Sequence, residues 1–195
     1  MKVNLLNTRV EFDGFLRIEK DTFQFESFRG GMSGETVRFR YTRGDAVAVL
    51  IYDSTRGCVL LIRQFRNAVH AATGSGWMLE CVAGMMEKGE TPAEVAFREV
   101  TEETGLILRR VEPLTTYFFS PGGCSDRVHL FQGTVEDTEK PLGIHGLAEE
   151  GEEVLAEWIA LEQALQWVDE GKIIDGKTII GLMMLSRRLN RPASS

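Results

Sequence analysis

Five residues near the middle of the chain have the types and spacing for divalent-cation chemistry: Glu90, Arg98, Glu99, Glu102 and Glu103. They lie in GMMEKGETPAEVAFREVTEETG, Gly84 to Gly105, which holds six glutamates in 22 residues. On a helix, Glu99, Glu102 and Glu103 stand at i, i+3 and i+4, where like charges cost roughly a few tenths of a kcal/mol per pair. A solvated acidic face is one way to carry that repulsion. A bound cation is the other, because three carboxylates on one ridge supply hard oxygen donors for Mg²⁺ or Mn²⁺. The preceding loop brings Glu90 back towards the helix, where Arg98 can pair with it. Such a pair pins the loop and leaves the other glutamates free for metal.

The elements that must position these groups follow from local signals. Thr91 is a capping residue, Pro92 suits the first helical position and Glu94 completes a capping box; Gly105 is a left-handed stop. The spacing predicts a helix from Pro92 to Thr104, with Ala93, Ala96, Phe97 and Val100 packed inward. Before it, DTFQFESF and ETVRFRYT alternate as strands around the turn RGGMSG. DAVAVLIYD and CVLLIRQF form a buried hairpin turning at STRG, and WMLECVAG is one further short strand. After it, TTYFFS, DRVHLFQGTVE and VLAEWIA read as strands, and DTEKPLGIHGLAEEGEE as a loop. LEQALQWVDEG and DGKTIIGLMMLSRRLN are helices, and Gly176-Lys177-Thr178 marks a helix start because it lacks the glycines of a P-loop. Strands, a helix, more strands and closing helices make an α+β fold with helices packed on a mixed sheet.

Composition excludes several partners. With 22 Lys+Arg against 29 Asp+Glu the net charge is −7, which repels nucleic acid and anionic membrane surfaces. The apolar runs AVAVLIY and IIGLMML are too short to span a bilayer, and the N-terminus has no signal-peptide core. Cys58, Cys81 and Cys124 are too scattered for a disulfide framework or zinc site, so they read as small core residues in a reducing, cytoplasmic setting. His70, His129 and His145 show no metal spacing and read as structural.

The glutamate segment resembles the Nudix box, Gly-x5-Glu-x7-Arg-Glu-U-x-Glu-Glu-x-Gly-U with U aliphatic. Gly84, Glu90, Arg98, Glu99, Val100, Glu102, Glu103, Gly105 and Leu106 fill every specified place. The resemblance implies an α/β/α sandwich around a mixed sheet and hydrolysis of a nucleoside diphosphate linked to another moiety. It implies metal held by Glu99 and Glu103, with Glu102 assisting and the Ala83 carbonyl at the box edge, around two or three Mg²⁺ ions, with Mn²⁺ the substitute. Glu90 and Arg98 are the implied structural pair.

The likeness extends beyond the box, towards the ADP-ribose pyrophosphatase branch. Pro121 of SPGG falls 16 residues past Gly105, and RGGMSGE, VLLIRQFR, SPGGCSDR and GIHGLAEEGEE also match. GDP-sugar pyrophosphatases share the arginine strand and SPGG, so GDP-mannose hydrolysis is the alternative; GIHGLAEE favours ADP-ribose. An acidic protein that binds a dianion needs local arginines, and Arg63 and Arg66 bracket RQFR while Arg38 and Arg40 share one strand face. The resemblance assigns Arg66 and Arg38 to diphosphate and nucleotide contacts and Asp126 to the terminal ribose. Glu80 is expected near the metal cluster or, alternatively, as a strand-end surface charge.

A general base must handle the attacking water. The acidic loop offers Glu149, Glu150, Glu152 and Glu153, and the resemblance favours Glu150, with Glu152 close by. Phe12 and Phe15 in FDGF are core residues or, as in the resembled dimers, aromatics that cover the partner's adenine. Residues 1–43 are therefore expected to form a dimerising antiparallel β segment, and 44–195 the catalytic domain. A Nudix domain that senses a ligand without turnover is the reading from another class.

Overall fold

Alternating side chains build the first of two units, which comprises Met1–Asp45 and Tyr117–Arg127. The protein is seen in a computed structural model that describes residues 1–147, 149 and 151–191. Strands β1 (Val3–Asp13), β2 (Arg17–Phe25) and β3 (Thr36–Thr42) form an antiparallel sheet in the order β1-β2-β3. The register sets Glu19 opposite Arg40 and Asp21 opposite Arg38. Arg40 holds Glu19 at 2.5 Å and Asp21 at 2.7 Å. The segment carrying SPGG joins this unit through Tyr41 N–H, which donates to the Gly123 carbonyl at 2.8 Å. Every residue of β1 is exposed.

The second unit, Ala46–Thr116 with Val128–Ser195, is built on a mixed sheet. Its strands are β4 (Ala46–Asp53), β5 (Cys58–Phe65), β6 (Trp77–Glu80), β7 (Val82–Met85), β8 (Leu108–Phe118), β9 (Arg127–Val135), β10 (Ile144–His145) and β11 (Val154–Ala160). The order is β10-β11-β5-β4-β9-β8, with β6 on β5 and β7 on β4. Strand β9 runs parallel to β4, while β5 and β7 run antiparallel to it. Helices are α1 (Asn67–Thr73), α2 (Pro92–Thr104), α3 (Leu161–Asp169) and α4 (Gly176–Leu189).

Alternation along β4 explains the layers. Val47, Val49 and Ile51 enter one buried cluster with Val95, Ala96 and Val100 of α2. Leu50, pointing the other way, lies with Leu130 against Gly181 of α4. Burying such aliphatic side chains is worth about 1.5–3 kcal/mol each, which is what clamps the helices to both faces. The result is the expected α/β/α sandwich. No helix among the described residues is long and apolar enough to cross a membrane.

Five local expectations are corrected. WMLECVAG is not one strand: it breaks at Cys81, so β6 pairs with β5 and β7 with β4. Helix α1 after RQFR was not expected, since no apolar period marks its seven residues and none is buried. Strand β8 starts at Leu108, well before TTYFFS, and the acidic loop carries the two-residue β10. Finally, α2 is turned so that Val95, Ala96, Val100, Glu103 and Thr104 go inward while Ala93 and Phe97 stay exposed.

Candidate active site

The turn of α2 is what creates the site. Its start is fixed by the predicted box: Glu94 N–H donates to Thr91 Oγ1 at 3.3 Å, and Thr91 N–H donates to Glu94 Oε2 at 2.7 Å. Such a cap is worth about 1 kcal/mol. Its end is Gly105 at φ 65°, and the His145 ring stands where a β-carbon would be. The Gly146 N–H donates to the Glu102 carbonyl at 3.3 Å, docking the β10 turn on the helix.

Held this way, the glutamate ridge lies against β7. The Glu99 carboxylate occupies the space that a side chain at Gly84 would need. Glu103 is 2 % exposed and accepts from Ala83 N–H at 3.2 Å. Burial pushes the Glu103 carboxyl up to about 8, with the Glu99 and Glu152 charges adding and Ala83 N–H and Arg66 opposing. Burial likewise pushes Glu99 up to about 7, with Arg98 opposing and Glu102 and Glu152 adding. Glu152 itself accepts from Gln64 Nε2 at 3.3 Å. Glutamates from α2 and from the acidic loop therefore share one electrostatic neighbourhood. Gln64 was not singled out in the sequence, since a lone glutamine in a strand carries no signal.

Arg98 does more than expected. Its Nε and Nη2 hold Glu90 at 3.0 and 3.3 Å, and Nη2 also donates to the Met85 carbonyl at 3.2 Å. Its Nη1 donates to Glu99 at 2.7 Å and to Glu102 at 3.1 Å. The expectation that the Arg98–Glu90 pair leaves the other glutamates free is therefore corrected: a five-donor fork reaches three carboxylates at once. No three acidic, histidine or cysteine side chains among the described residues form a ready cation cage. The donor set still fits a hard divalent ion. Two carboxyls are held above their ordinary range by burial and by neighbouring carboxylates, and the buried Gln64 Oε1 has no partner among the described residues. A dication that drew Glu99 from Arg98 would relieve both.

A second cluster adjoins. Arg66, at the end of β5, places Nε on Glu80 Oε1 at 2.8 Å and Nη2 on Glu80 Oε2 at 3.1 Å. Glu80 is 2 % exposed, so the surface-charge alternative is overturned. Burial would raise its pKa, but Arg66 and Lys177 hold it below the usual carboxylate range. Lys177 Nζ also contacts Glu80, and Asp175 at 3.0 Å. Burial would lower the Arg66 pKa, but Glu80, then Glu103 and Asp175, keep it raised. Arg66 is thus within the field of the ridge.

Residues 42–179, more than two thirds of the chain, match the Nudix domain family. The chain belongs to the Nudix family. It is 40% identical over 186 residues to an ADP-ribose pyrophosphatase of Haemophilus influenzae, covering 94% of this chain and 85% of that protein. It is 40% identical over 183 residues to one of Escherichia coli, covering 94% and 87%. A GDP-mannose pyrophosphatase of Pectobacterium atrosepticum is 31% identical over 179 residues, covering 91% of each chain. A crystal structure of an ADP compounds hydrolase superposes with TM-score 0.75 at 18% identity, over 97% of this chain and 95% of that one. It shares the Nudix fold.

Outside the Nudix box, the remaining candidates are dispersed. Arg63 reaches Glu157 at 3.4 Å and lines a concavity with Trp77, Ile144, Glu153 and Leu155. In the first unit, Arg38 donates to the Val37 carbonyl at 2.8 Å and has no carboxylate partner among the described residues. Arg38 lines a second concavity with Phe39, Phe118 and the Pro121–Ser125 loop. Arg40, considered beside it, is committed to Glu19 and Asp21. Asp126 accepts from Thr42 Oγ1 and from Arg43 N–H at 2.8 Å, so its carboxylate anchors the end of β3. Phe12 and Phe15 are both exposed rather than core, and Arg43 lies over the Phe15 ring at 4.1 Å. Glu150 lies outside the described residues.

Proposed function

We propose that this Nudix chain hydrolyses the pyrophosphate of ADP-ribose to AMP and ribose 5-phosphate with Mg²⁺. The observation that carries the proposal is the meeting of the buried Glu103 and half-buried Glu99 carboxyls, both pushed up by burial, with Arg66 in the field of Glu103. A site with both needs a dication for its carboxylates and a dianion for its arginine, and a metal-bound diphosphate is both at once. The 40% identity to ADP-ribose pyrophosphatases supports ADP-ribose as that diphosphate.

Two or three Mg²⁺ ions, with Mn²⁺ as substitute, would be held by Glu99, Glu103 and the Ala83 carbonyl, with Glu102 assisting. When bound, the metal neutralises the diphosphate, orients water and stabilises the leaving oxygen. The protein does the rest. Glu80 fixes the guanidinium plane of Arg66, which presents Nη1 and its two N–H donors to the phosphate oxygens. The Glu90–Arg98 pair holds the loop before α2. Glu150 accepts the proton of the attacking water, a role carried by the family resemblance, and Glu152 stays on the ridge side through Gln64. Arg38, Arg63, Asp126 and Phe12 are the further substrate contacts in this reading. A homodimer formed through residues 1–43 is part of it, supported by the exposed Val3, Leu5, Val10 and Phe12 of β1. The cytoplasmic setting belongs to the same reading, supported by three free cysteines.

Hydrolysis of GDP-mannose is the second reading, favoured by the 31% identity to GDP-mannose pyrophosphatases. Phosphorus NMR of ADP-ribose incubated with the protein and Mg²⁺ tests the first. Conversion of the diphosphate signals to AMP and ribose 5-phosphate is expected; unchanged ADP-ribose alongside consumed GDP-mannose gives the site to the second reading. Tight nucleotide binding with no turnover of either indicates a sensor.

A further inference from the structure

We propose that Lys177, at the start of α4, is a positioning residue for substrate binding: it shares the Glu80 carboxylate with Arg66 and thereby keeps the Arg66 guanidinium oriented towards the diphosphate. The inference rests on the reading of Arg66 as a diphosphate contact.

Three observations converge on it. Arg66 spends two of its donor groups on the two oxygens of Glu80, at 2.8 and 3.1 Å, so the guanidinium plane is fixed while Nη1 has no protein partner among the described residues. Held by Glu80 alone, that arginine would form a neutral pair with little attraction for an anion. Lys177 Nζ, with its side chain only 16% exposed, meets the same Glu80 oxygen that Arg66 Nη2 reaches, and so takes up part of the carboxylate charge that Arg66 would otherwise meet alone. Asp175 then balances Lys177 from the far side at 3.0 Å.

The helix end is itself locked in place. Asp175 caps α4 by accepting from Thr178 N–H at 3.0 Å and Thr178 Oγ1 at 2.6 Å. Thr178 Oγ1 in turn accepts from Cys81 N–H at 2.7 Å, the amide at the break between β6 and β7. The first turn of α4 therefore grips the joint that carries Glu80 on one side and Ala83 on the other. Lys177 acts through the first and Thr178 steadies the second. Without its cation a buried carboxylate is left with one partner, and Glu80 then draws Arg66 inward more strongly.

The test is a kinetic cycle on the full-length, Mg²⁺-loaded protein with ADP-ribose. Wild type, Lys177→Met, Lys177→Arg, Arg66→Ala and the Lys177→Met/Arg66→Ala double variant are compared. Lys177→Met is expected to raise KM about tenfold with kcat changed by less than about twofold, the pattern of lost ground-state binding. Lys177→Arg is expected to keep KM near wild type, since it preserves the charge. In the Arg66→Ala background, Lys177→Met is expected to add less than about a twofold effect, because the group it acts through is gone. An unchanged KM for Lys177→Met, or penalties that multiply in full in the double variant, overturns the proposal. Should Lys177→Met not fold, Lys177→Gln, which keeps a donor and removes the charge, is read by the same two criteria. A wild type that leaves ADP-ribose intact overturns the functional reading and this one together; an active wild type with an indifferent Lys177→Met overturns this one alone.

Discussion

Ala83 and Glu103 are joined by a bond of 3.2 Å from the Ala83 N–H to Glu103 Oε2, and among the described residues it is the one hydrogen bond this buried carboxylate receives. A single amide is too little to stabilise a carboxylate removed from water. Burial therefore pushes Glu103 up to about 8 and Glu99 up to about 7, against an ordinary value of 4.5. Both carboxyls have folded values above their unfolded ones, so the folded chain holds extra protons between the two. The stability these two groups contribute is full below about 4.5 and is lost as pH rises through 7 to 8.

The first prediction follows from that sign. In EDTA the melting temperature should fall between pH 5 and pH 8, and saturating Mg²⁺ should restore it, most strongly at pH 8. Glu103→Gln removes the titrating charge, so its metal-free melting temperature at pH 8 should exceed wild type by about a few °C. Its kcat should fall by about 10²-fold or more, partly recovered at higher Mg²⁺. Calorimetry across the pH range checks both; a metal-free protein that gains stability towards pH 8 contradicts the assignment.

Gly84 supplies a steric prediction. A methyl group there would overlap the Glu99 carboxylate. Gly84→Ala should leave the fold intact by circular dichroism but displace Glu99, raising the Mg²⁺ concentration for half-maximal activity by about tenfold or more. An unchanged Mg²⁺ dependence would show that Glu99 does not act from this position.

The box helix was legible residue by residue, because capping, the left-handed stop and the glutamate spacing are local signals. Its rotation was not. Periodicity puts Phe97 inside, yet Glu103 is buried and Phe97 is exposed, since the helix must lay its ridge on β7 where Gly84 leaves room. Lys177 on Glu80 is a contact between segments that no spacing encodes, because the two lie 97 positions apart; Arg98 on Glu102 is an i,i+4 pair within α2 that the spacing does carry. The break at Cys81 was hidden for a similar reason. A buried Thr178 from the terminal helix satisfies the amide that would otherwise demand a continuous ladder.

The two loop glutamates should fail differently. Glu150→Gln should lower kcat by about 10²–10⁴-fold with KM and Mg²⁺ dependence little changed, as for loss of a general base. Glu152, which raises the Glu99 and Glu103 carboxyls, should show its effect in the Mg²⁺ titration instead. Steady-state kinetics over a range of Mg²⁺ separates them. Near wild-type kcat in Glu150→Gln would pass the base role to Glu152 or Glu102.

The exposed β1 strand makes assembly testable. Deleting residues 1–40 should convert a dimer into a monomer or aggregate with little activity, read by light scattering and turnover. A fully active monomeric truncation would separate the N-terminal segment from function.

The central claim is that the carboxylate ridge and Arg66 together serve metal-dependent cleavage of ADP-ribose. Its most direct test is kcat/KM for ADP-ribose and for GDP-mannose on one preparation, with saturating Mg²⁺ and again after chelation. The higher value is expected for ADP-ribose, with AMP as its product and with loss of turnover on chelation that returns with Mg²⁺. A higher kcat/KM for GDP-mannose, or ADP-ribose cleavage that persists in chelator, would contradict it.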